Sequence, residues 1–282
     1  MMAFKPRYIN VRGNLIDLSV PKVMGIINVT PDSFFKGSRV VLEEEIIKTA
    51  ARMIEEGADI IDVGGYSSRP GADEITQEEE RKRVIAAIRA ISREFPEAVI
   101  SIDTFRSGIA AEAVLEYGAG MINDISGGEA DAGMFNVVSK LQVPYIMMHM
   151  QGVPGTMQEN PVYDDVVTDI LRWFGERIVT LQSMGVNDII LDPGFGFGKT
   201  AAHNFELLRN LRDFSITGMP VLVGVSRKSM IWKTLGITPD EALNGTAVLN
   251  TAALLYGADI LRVHDVKEAV QVVKLIENLK KQ

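Results

Sequence analysis

The stretch EEGADIIDVGG, residues 55–65, decides the fold of this chain because three similar stretches follow it. They are EYGAGMINDISGG (116–128), SMGVNDIILDPG (183–194) and LYGADILRVHD (255–265). Each contains a glycine suited to the left-handed position after a helix, then a short apolar strand that ends in polar residues. Gly57, Gly118, Gly185 and Gly257 are 61, 67 and 72 residues apart, an interval that fits two strand–helix units.

Four further strand-like runs lie between these repeats: KVMGIINV (22–29), AVISIDT (98–104), VPYIMMH (143–149) and PVLVGVS (220–226). Amphipathic helical patterns separate the eight runs, and Thr76 with Glu79 has the spacing of a capping box at one helix start. Nearly continuous apolar strands are typical of a parallel sheet that is covered on both faces. We therefore predict a single-domain (β/α)₈ TIM barrel over residues 1–282. A doubly wound open sheet is the alternative, but the repeat over two units favours a closed barrel.

Composition excludes several functional classes. The net charge of −8 and the lack of a basic tail argue against a nucleic-acid-binding surface. The absence of cysteine excludes disulfides, thiolate catalysis and thiolate metal sites, and three histidines make a His-rich zinc site improbable. Neither a signal peptide nor a membrane span is recognisable, so we predict a cytoplasmic protein with no membrane partner.

The active site of such a barrel lies at the carboxyl ends of its strands. Polar or charged residues end every predicted strand: Asn28, Asp62, Asp103, Asn123, Asp124, His149, Asp192, Ser226, Arg227, Lys228, Arg262 and His264. The carboxylates at 62, 103 and 192, with the amide at 123, suit a flat heterocycle that carries ring N–H and amino groups. Two alternatives stay open, a salt bridge to Lys228, especially from Asp62, and metal coordination by two of the aspartates.

Cations are also expected at this end of the barrel. Arg69, Lys228, Arg262 and His264 follow the second, seventh and eighth strands, where barrels often bind phosphate groups. The sequence SRKS (226–229) also begins a helix, whose first N–H groups favour an anion. An ion pair at the rim for Arg262 and a supporting role for His264 are the alternatives.

The stretch IILDPGFGFGKT (189–200) resembles a phosphate-binding P-loop only superficially. That loop requires glycine five positions before Gly198, where this chain has Pro193, which lacks a backbone N–H. We therefore interpret the Gly-Lys-Thr that ends the stretch as incidental. Two long loops, 30–39 and 64–75, are rich in Gly, Ser and Pro and are predicted to close over the site.

Several motifs together resemble the successive signatures of the dihydropteroate synthase family: MGIINVTPDSF, DVGGYSSRPG, SIDT, INDISGG, MMHMQGVPGTMQ, LDPGFGFGK, SRKS and RVHDV. They occur in the family's order from residue 24 to residue 266. The resemblance implies the condensation of 6-hydroxymethyl-7,8-dihydropterin diphosphate with 4-aminobenzoate, with release of pyrophosphate, in folate biosynthesis. It also implies Mg²⁺ as cofactor, a homodimer and membership of a family that sulfonamides target.

The resemblance further implies a role for each matching residue. Catalysis would rest on Lys228, Arg69, Asp103 and Asp192. The pterin would contact Asp62, Asp103, Asn123, Met148, Asp192 and Lys228. The diphosphate would contact Asn28, Arg69, Arg262 and His264, with Asn28 also binding Mg²⁺. The aminobenzoate would contact Ser68, Arg69, Pro70, Phe197, Lys228 and Ser229.

The chain departs from the family pattern at Tyr66 and Ser68, where Glu and Thr are usual. Ser68 keeps the hydroxyl but loses a methyl group, whereas Tyr66 removes a carboxylate from the second loop. Two other functions are weighed, a methyltransferase that acts on methyltetrahydrofolate and a catalytically silent pterin-binding protein. The cations at 69, 228 and 262 favour the synthase over the methyltransferase, and the intact residues at 28, 103, 123, 192 and 228 argue against the silent protein. We expect the leaving group to depart ahead of attack by the amine.

Overall fold

The structure, a computed structural model, describes residues 8–29, 39–66, 75–152, 155, 157 and 161–280. It begins with an antiparallel hairpin of β1 (Tyr8–Val11) and β2 (Asn14–Asp17). Eight parallel strands follow: β3 (Lys22–Asn28), β4 (Ile60–Gly64), β5 (Ile100–Asp103), β6 (Met121–Asp124), β7 (Tyr145–Met148), β8 (Ile189–Asp192), β9 (Leu222–Val223) and β10 (Ile260–Val263). All eight coincide with runs that the sequence predicts to be strands.

The eight strands close into a barrel. Their order is β8-β7-β6-β5-β4-β3-β10-β9, and a parallel bridge between Leu191 and Val221 joins the two ends. At this junction the backbone N–H of Leu191 donates to the carbonyl of Pro220 at 2.9 Å. The predicted (β/α)₈ barrel is confirmed, and the open-sheet alternative is excluded.

Helices follow the strands and cover the outside of the barrel. They are α1 (Arg39–Glu56), α2 (Gln77–Glu94), α3 (Ser107–Tyr117), α4 (Met134–Leu141), α5 (Val166–Ser183), α6 (Ala201–Arg209), α7 (Ser229–Leu235), α8 (Leu243–Leu255) and α9 (Val266–Lys280), with a 3₁₀ turn at Leu211–Thr217. Among the described residues, no helix combines the length and the apolar composition that a membrane crossing requires.

The glycine signals behind the prediction are confirmed, and of the predicted capping box only the half made by Thr76 is formed. Gly57, Gly118, Gly185 and Gly257 have φ values of 99°, 87°, 82° and 103°, in the left-handed region that glycine adopts without strain. The hydroxyl of Thr76 accepts from the N–H of Glu79 at the start of α2. The carboxylate of Glu79 pairs with Arg83 at 2.8 Å, one turn along the helix.

Two apolar layers hold the barrel together. Outward-facing strand residues such as Val63, Ile102 and Leu191 pack against the helices in the larger cluster. Inward-facing residues form a second cluster with the hairpin, and we call the following seven residues the floor: Met24, Ile60, Met121, Ile146, Ile190, Leu222 and Ile260. The hairpin residues Ile9 and Val11 pack against the floor and cover the amino-terminal end of the barrel.

Candidate active site

Strand alternation turns the residue two positions after each floor residue toward the same interior space. Arg262 of β10 shows that these side chains meet inside the barrel. Its Nε donates to Asp62 of β4 and its Nη2 donates to Asp103 of β5, both at 2.6 Å. Because β10 pairs only with β3 and β9, these contacts cross the barrel interior. We call this interior space at the carboxyl ends of the strands the mouth.

The buried carboxylates of the mouth share few donors. Asp62 accepts from Arg262 and, at 3.1 Å, from the amide of Asn123 through the same oxygen, Oδ2. Its other oxygen, Oδ1, is buried and has no hydrogen-bond partner among the described residues. Burial raises the pKa of Asp103 to about 7, against the opposing effect of Arg262 and with further help from Asp62. The mouth therefore holds acceptors that a ligand with several N–H groups can satisfy.

The charges of the buried Asp192 and the half-buried Lys228 influence each other. Burial raises the pKa of Asp192, and the positive charge of Lys228 opposes that shift. Burial also lowers the pKa of Lys228 to about 8, and Asp192 opposes that shift in turn. The Oδ1 of Asp192 accepts from the N–H of Gly194 at 2.8 Å, which fixes the carboxylate. Together they offer an acceptor and a cation within the mouth.

The side-chain nitrogen of Lys228 contacts two residues of the loop that follows β8. It donates to the carbonyl of Phe195 and lies 4.6 Å from the centre of the Phe197 ring. The salt bridge from Asp62 to Lys228 that the sequence left open is not formed, because Asp62 pairs with Arg262. The rim ion pair considered for Arg262 is present, although it lies inside the mouth.

An apolar cluster lines another part of the mouth. Met148 is 2% exposed and packs with Ile125, Met150, Met157, Phe105 and Phe197. Of these, the sequence had predicted Met148 and Phe197. Tyr66, one of the family departures, contacts the Phe105 ring edge-on at 5.2 Å between centroids. A flat heterocycle can lie against such a surface while its edge reaches the carboxylates.

The remaining predicted residues of the described chain lie at strand ends or helix starts. The ring of His264 is oriented by Ser226, whose Oγ lies 3.0 Å from its Nδ1. Asn28 ends β3 with a half-buried side chain, and Ser229 is the first residue of α7. Ser68, Arg69 and Pro70 fall outside the described residues, as do the first loop from residue 30 to residue 38 and most of the second. Their predicted roles remain predictions.

The aspartate metal site that the sequence left open is not supported. Asp62 and Asp103 are bridged by Arg262, and the described ranges contain no group of three His, Asp or Glu side chains that could hold a metal ion. The interpretation of the Gly-Lys-Thr as no P-loop is confirmed: Lys199 is 2% exposed and bonded within the protein, and Thr200 caps α6. That tripeptide is therefore a built part of the fold.

Comparison with known proteins agrees with this geometry. A model of the family described as "Pterin binding enzyme" matches residues 24–264. The dihydropteroate synthase of Escherichia coli (strain K12) is 45% identical over 268 residues, which cover 94% of each chain.

Solved structures give the same result. The dihydropteroate synthase of Yersinia pestis in a sulfonamide drug complex superposes with a TM-score of 0.91 at 40% identity, covering 98% of this chain and 100% of that one. The Xanthomonas albilineans enzyme with 4-aminobenzoic acid gives a TM-score of 0.90 at 37% identity, covering 99% and 100%. With the family's signatures in order and its fold over nearly the whole chain, this protein belongs to the dihydropteroate synthase family of pterin-binding enzymes.

Proposed function

We propose that this protein condenses 6-hydroxymethyl-7,8-dihydropterin diphosphate with 4-aminobenzoate to give 7,8-dihydropteroate and pyrophosphate, in folate biosynthesis. The observation that carries the proposal is the set of buried and half-buried acceptors and cations inside the barrel mouth. Asp62, Asp103, Asn123, Asp192 and Lys228 offer acceptors and donors that match the edge of a pterin. The relatives named dihydropteroate synthase support the same assignment.

The carboxylates of the mouth orient the pterin. Asp192 accepts from ring N–H and amino groups and is itself held by Gly194. Met148 and the apolar residues around it contact a ring face. Because the ring is held at its edge and face, its exocyclic methylene group is directed toward the second substrate.

Charge stabilisation accounts for departure of the leaving group. The C–O bond between the methylene carbon and the diphosphate breaks, and the resulting cation is delocalised into the pterin ring. Arg262 and His264, with Arg69 outside the described residues, are proposed to hold the departing anion, an electrostatic role that is strongest in a shielded site. Contact with the diphosphate requires Arg262 to weaken its ion pairs with Asp62 and Asp103.

The amine completes the reaction. The nitrogen of 4-aminobenzoate forms the new C–N bond and then loses a proton, so a nucleophilic side chain is not required. Phe197, Ser229 and Lys228, with Ser68, Arg69 and Pro70, are proposed to form its pocket. A sulfonamide that mimics 4-aminobenzoate is expected to compete for this pocket, as the drug complex of the Yersinia pestis enzyme suggests.

Mg²⁺ fits the residues present. Mg²⁺ commonly uses one or two protein oxygens together with substrate phosphates and waters. The amide oxygen of Asn28, at the end of β3, is the proposed protein ligand. Bound in this way, the ion would supply positive charge that stabilises the leaving pyrophosphate.

Two further proposals concern assembly and location. We propose a homodimer that uses the packed helices α8 and α9, where Val248, Leu275 and Leu279 are 58%, 72% and 69% exposed. Light scattering after gel filtration tests it. We also propose a cytoplasmic location, which the cysteine-free sequence supports.

Pyrophosphate release from the dihydropterin diphosphate, with Mg²⁺ and with or without 4-aminobenzoate, tests the function. The proposal predicts amine-dependent release and formation of dihydropteroate. Pterin binding without release would favour a silent pterin-binding protein, and methyl transfer from methyltetrahydrofolate would favour the methyltransferase.

A further inference from the structure

Lys199 is a buried lysine to which the proposed reaction assigns no role. Its side chain is 2% exposed, and its nitrogen lies 3.0 Å from Nδ1 of His149, 3.3 Å from the His149 carbonyl and 2.9 Å from the Phe197 carbonyl. A protonated lysine has three donors and no acceptor, so these contacts account for all of its donors. Lys199 is therefore fully used inside the protein and is not a ligand for a phosphate group.

The histidine that Lys199 contacts is held as an acceptor. Burial first, and then the positive charge of Lys199, lower the pKa of His149 to about 2. The ring is therefore neutral, and its Nδ1 offers a lone pair to the ammonium group. An edge-on contact with Trp173, at 5.0 Å between ring centres, fixes the plane of the imidazole.

Lys199 joins two segments that meet without intervening side chains. One is the end of β7, at His149, and the other is the loop from Pro193 to Gly198 that follows β8. A Cβ added to Gly194 would lie 1.9 Å from the His149 carbonyl oxygen, and one added to Gly198 would lie 2.5 Å from the Gln151 carbonyl oxygen. The loop backbone thus lies directly against the strand end, and Lys199 bonds to carbonyls on both sides of this contact.

This loop also carries groups of the active site. Its Gly194 N–H holds Asp192, the carbonyl of Phe195 accepts from Lys228, and the Phe197 ring lies under the Lys228 nitrogen. Asp192 and Lys228 each have hydrogen-bond partners other than Lys199, although the charge of Lys199 opposes the raised pKa of Asp192. The N–H of Phe197 donates to the carbonyl of Gly194 at 3.0 Å, and its own carbonyl accepts directly from Lys199. Phe197 is therefore the active-site residue that this lysine contacts directly.

We propose that Lys199 is a positioning residue that fixes the backbone of Phe197 and thereby shapes the aminobenzoate side of the site. The inference rests on the proposed synthase function, because only that reaction places the second substrate against Phe197. It predicts a selective defect: the pterin side, held by Asp192, Asn123 and Asp62, remains intact while the amine is bound less well.

The test is the Lys199→Met variant, which keeps the length of the side chain and removes the donors. The KM for 4-aminobenzoate is expected to rise about ten- to a hundredfold, since small displacements within a site have effects of that order. The Kd of 6-hydroxymethylpterin, measured by calorimetry, should stay within about threefold, as expected for a group that acts on the other substrate. Intact pterin binding also shows that the variant is folded.

Two further variants separate positioning from general destabilisation. Thr200→Ala removes the cap of the adjacent helix α6 without touching Phe197, and it should show no selective rise in the aminobenzoate KM. Phe197→Ala should raise that KM, and adding Lys199→Met to it should raise the KM little further, because the two changes act through one residue. If Lys199→Met does not fold, Lys199→Gln, which keeps an NH₂ donor, takes its place in the same comparison.

The outcomes are distinguishable. An unchanged aminobenzoate KM in the Lys199 variant, an equal weakening of pterin binding, or the same selective rise in Thr200→Ala would overturn the positioning role while leaving the synthase assignment intact. A wild-type protein that binds the pterin but forms no dihydropteroate would overturn the assignment, and this role with it.

Discussion

The floor and the mouth of the barrel interior are built from the same strands, yet only the mouth carries charged side chains. Ile60 and Asp62 are two residues apart on β4, and Ile190 and Asp192 are two residues apart on β8. At the floor the inward side chains are apolar and pack against the hairpin. At the mouth several of them are carboxylates, amides and cations that contact each other, beside the apolar cluster around Met148.

The difference shows how stability and chemistry are divided within one structure. Burial of apolar side chains is the main stabilising contribution to a fold, and the floor contributes in that way. Burial of charge is costly, and the shifted pKa values of Asp103, Asp192 and Lys228 record that cost. We expect substitutions in the floor to change stability and substitutions in the mouth to change activity. The exception is a mouth residue whose charge is paired, because its loss should also change stability.

We expect the largest effect at Arg262, a mouth residue whose substitution should change stability. Arg262→Met leaves the buried carboxylate of Asp62 and the half-buried carboxylate of Asp103 without their shared cation. Removing one partner of a buried ion pair costs about 3–5 kcal/mol, so urea denaturation should show a loss of that order. Adding Asp62→Asn should recover part of it. Equal stability of wild type and Arg262→Met would show that the pairs contribute little.

Lys228→Met is expected to reduce catalysis rather than folding. Removal of one preorganised donor or cation from an active site typically lowers kcat by about 10²–10³-fold. Stopped assays of dihydropteroate formation measure the loss, and near-UV circular dichroism checks that the fold is retained. Retention of full activity would refute a catalytic role for Lys228.

A conservative change at the floor should give the reverse result. Ile190→Val removes one buried methylene group, which typically costs about 0.5–1.5 kcal/mol of unfolding free energy. Its kcat/KM should remain within about twofold of the wild-type value, since no group that contacts substrate changes. A large loss of activity would mean that the floor shapes the mouth more directly than its packing indicates.

The smallest effect concerns pH. Burial first lowers the pKa of Lys199 from its ordinary 10.5 to about 7, so between these values the unfolded chain binds more protons than the folded one. Stability from this group is present above the unfolded pKa and is lost as pH falls toward 7. Wild type should gain unfolding free energy relative to Lys199→Met between pH 7 and 8, by less than about 1.4 kcal/mol. A constant difference between the two proteins would contradict the lowered pKa.

The sequence predicts well those features that depend on local pattern. Left-handed glycines after helices, apolar strands and the polar residues that end them are all local, and they place Asp62, Asp103, Asn123 and Asp192 together correctly. The amino-terminal hairpin was missed because its turn uses Arg12 at a φ of 53°, where Asn or Asp would have signalled it. In the structure the guanidinium of Arg12 donates to the carbonyl of Gly118 at 2.9 Å.

Partner choice inside the barrel could not be predicted. Asn123 and Asp124 are adjacent and both polar, but alternation lets only one of them face the mouth. Asn123 donates to Asp62, whereas Asp124 accepts from the hydroxyl of Tyr145 and the backbone behind the strand. Asp62 likewise pairs with Arg262 and not with Lys228. This pairing depends on contacts across the barrel, between residues about 200 positions apart in sequence. The inward position of Arg262, two residues after Ile260, was the available signal.

The most direct test compares the two neighbours on β8. Dihydropteroate formed from the dihydropterin diphosphate, 4-aminobenzoate and Mg²⁺ would be quantified by mass spectrometry for wild type, Ile190→Val and Asp192→Asn. We predict product from wild type and Ile190→Val at similar rates, and at least about a hundredfold less from Asp192→Asn, which loses a buried acceptor and its charge. Equal rates for the two variants, or no product from wild type, would contradict the assignment of catalysis to the barrel mouth.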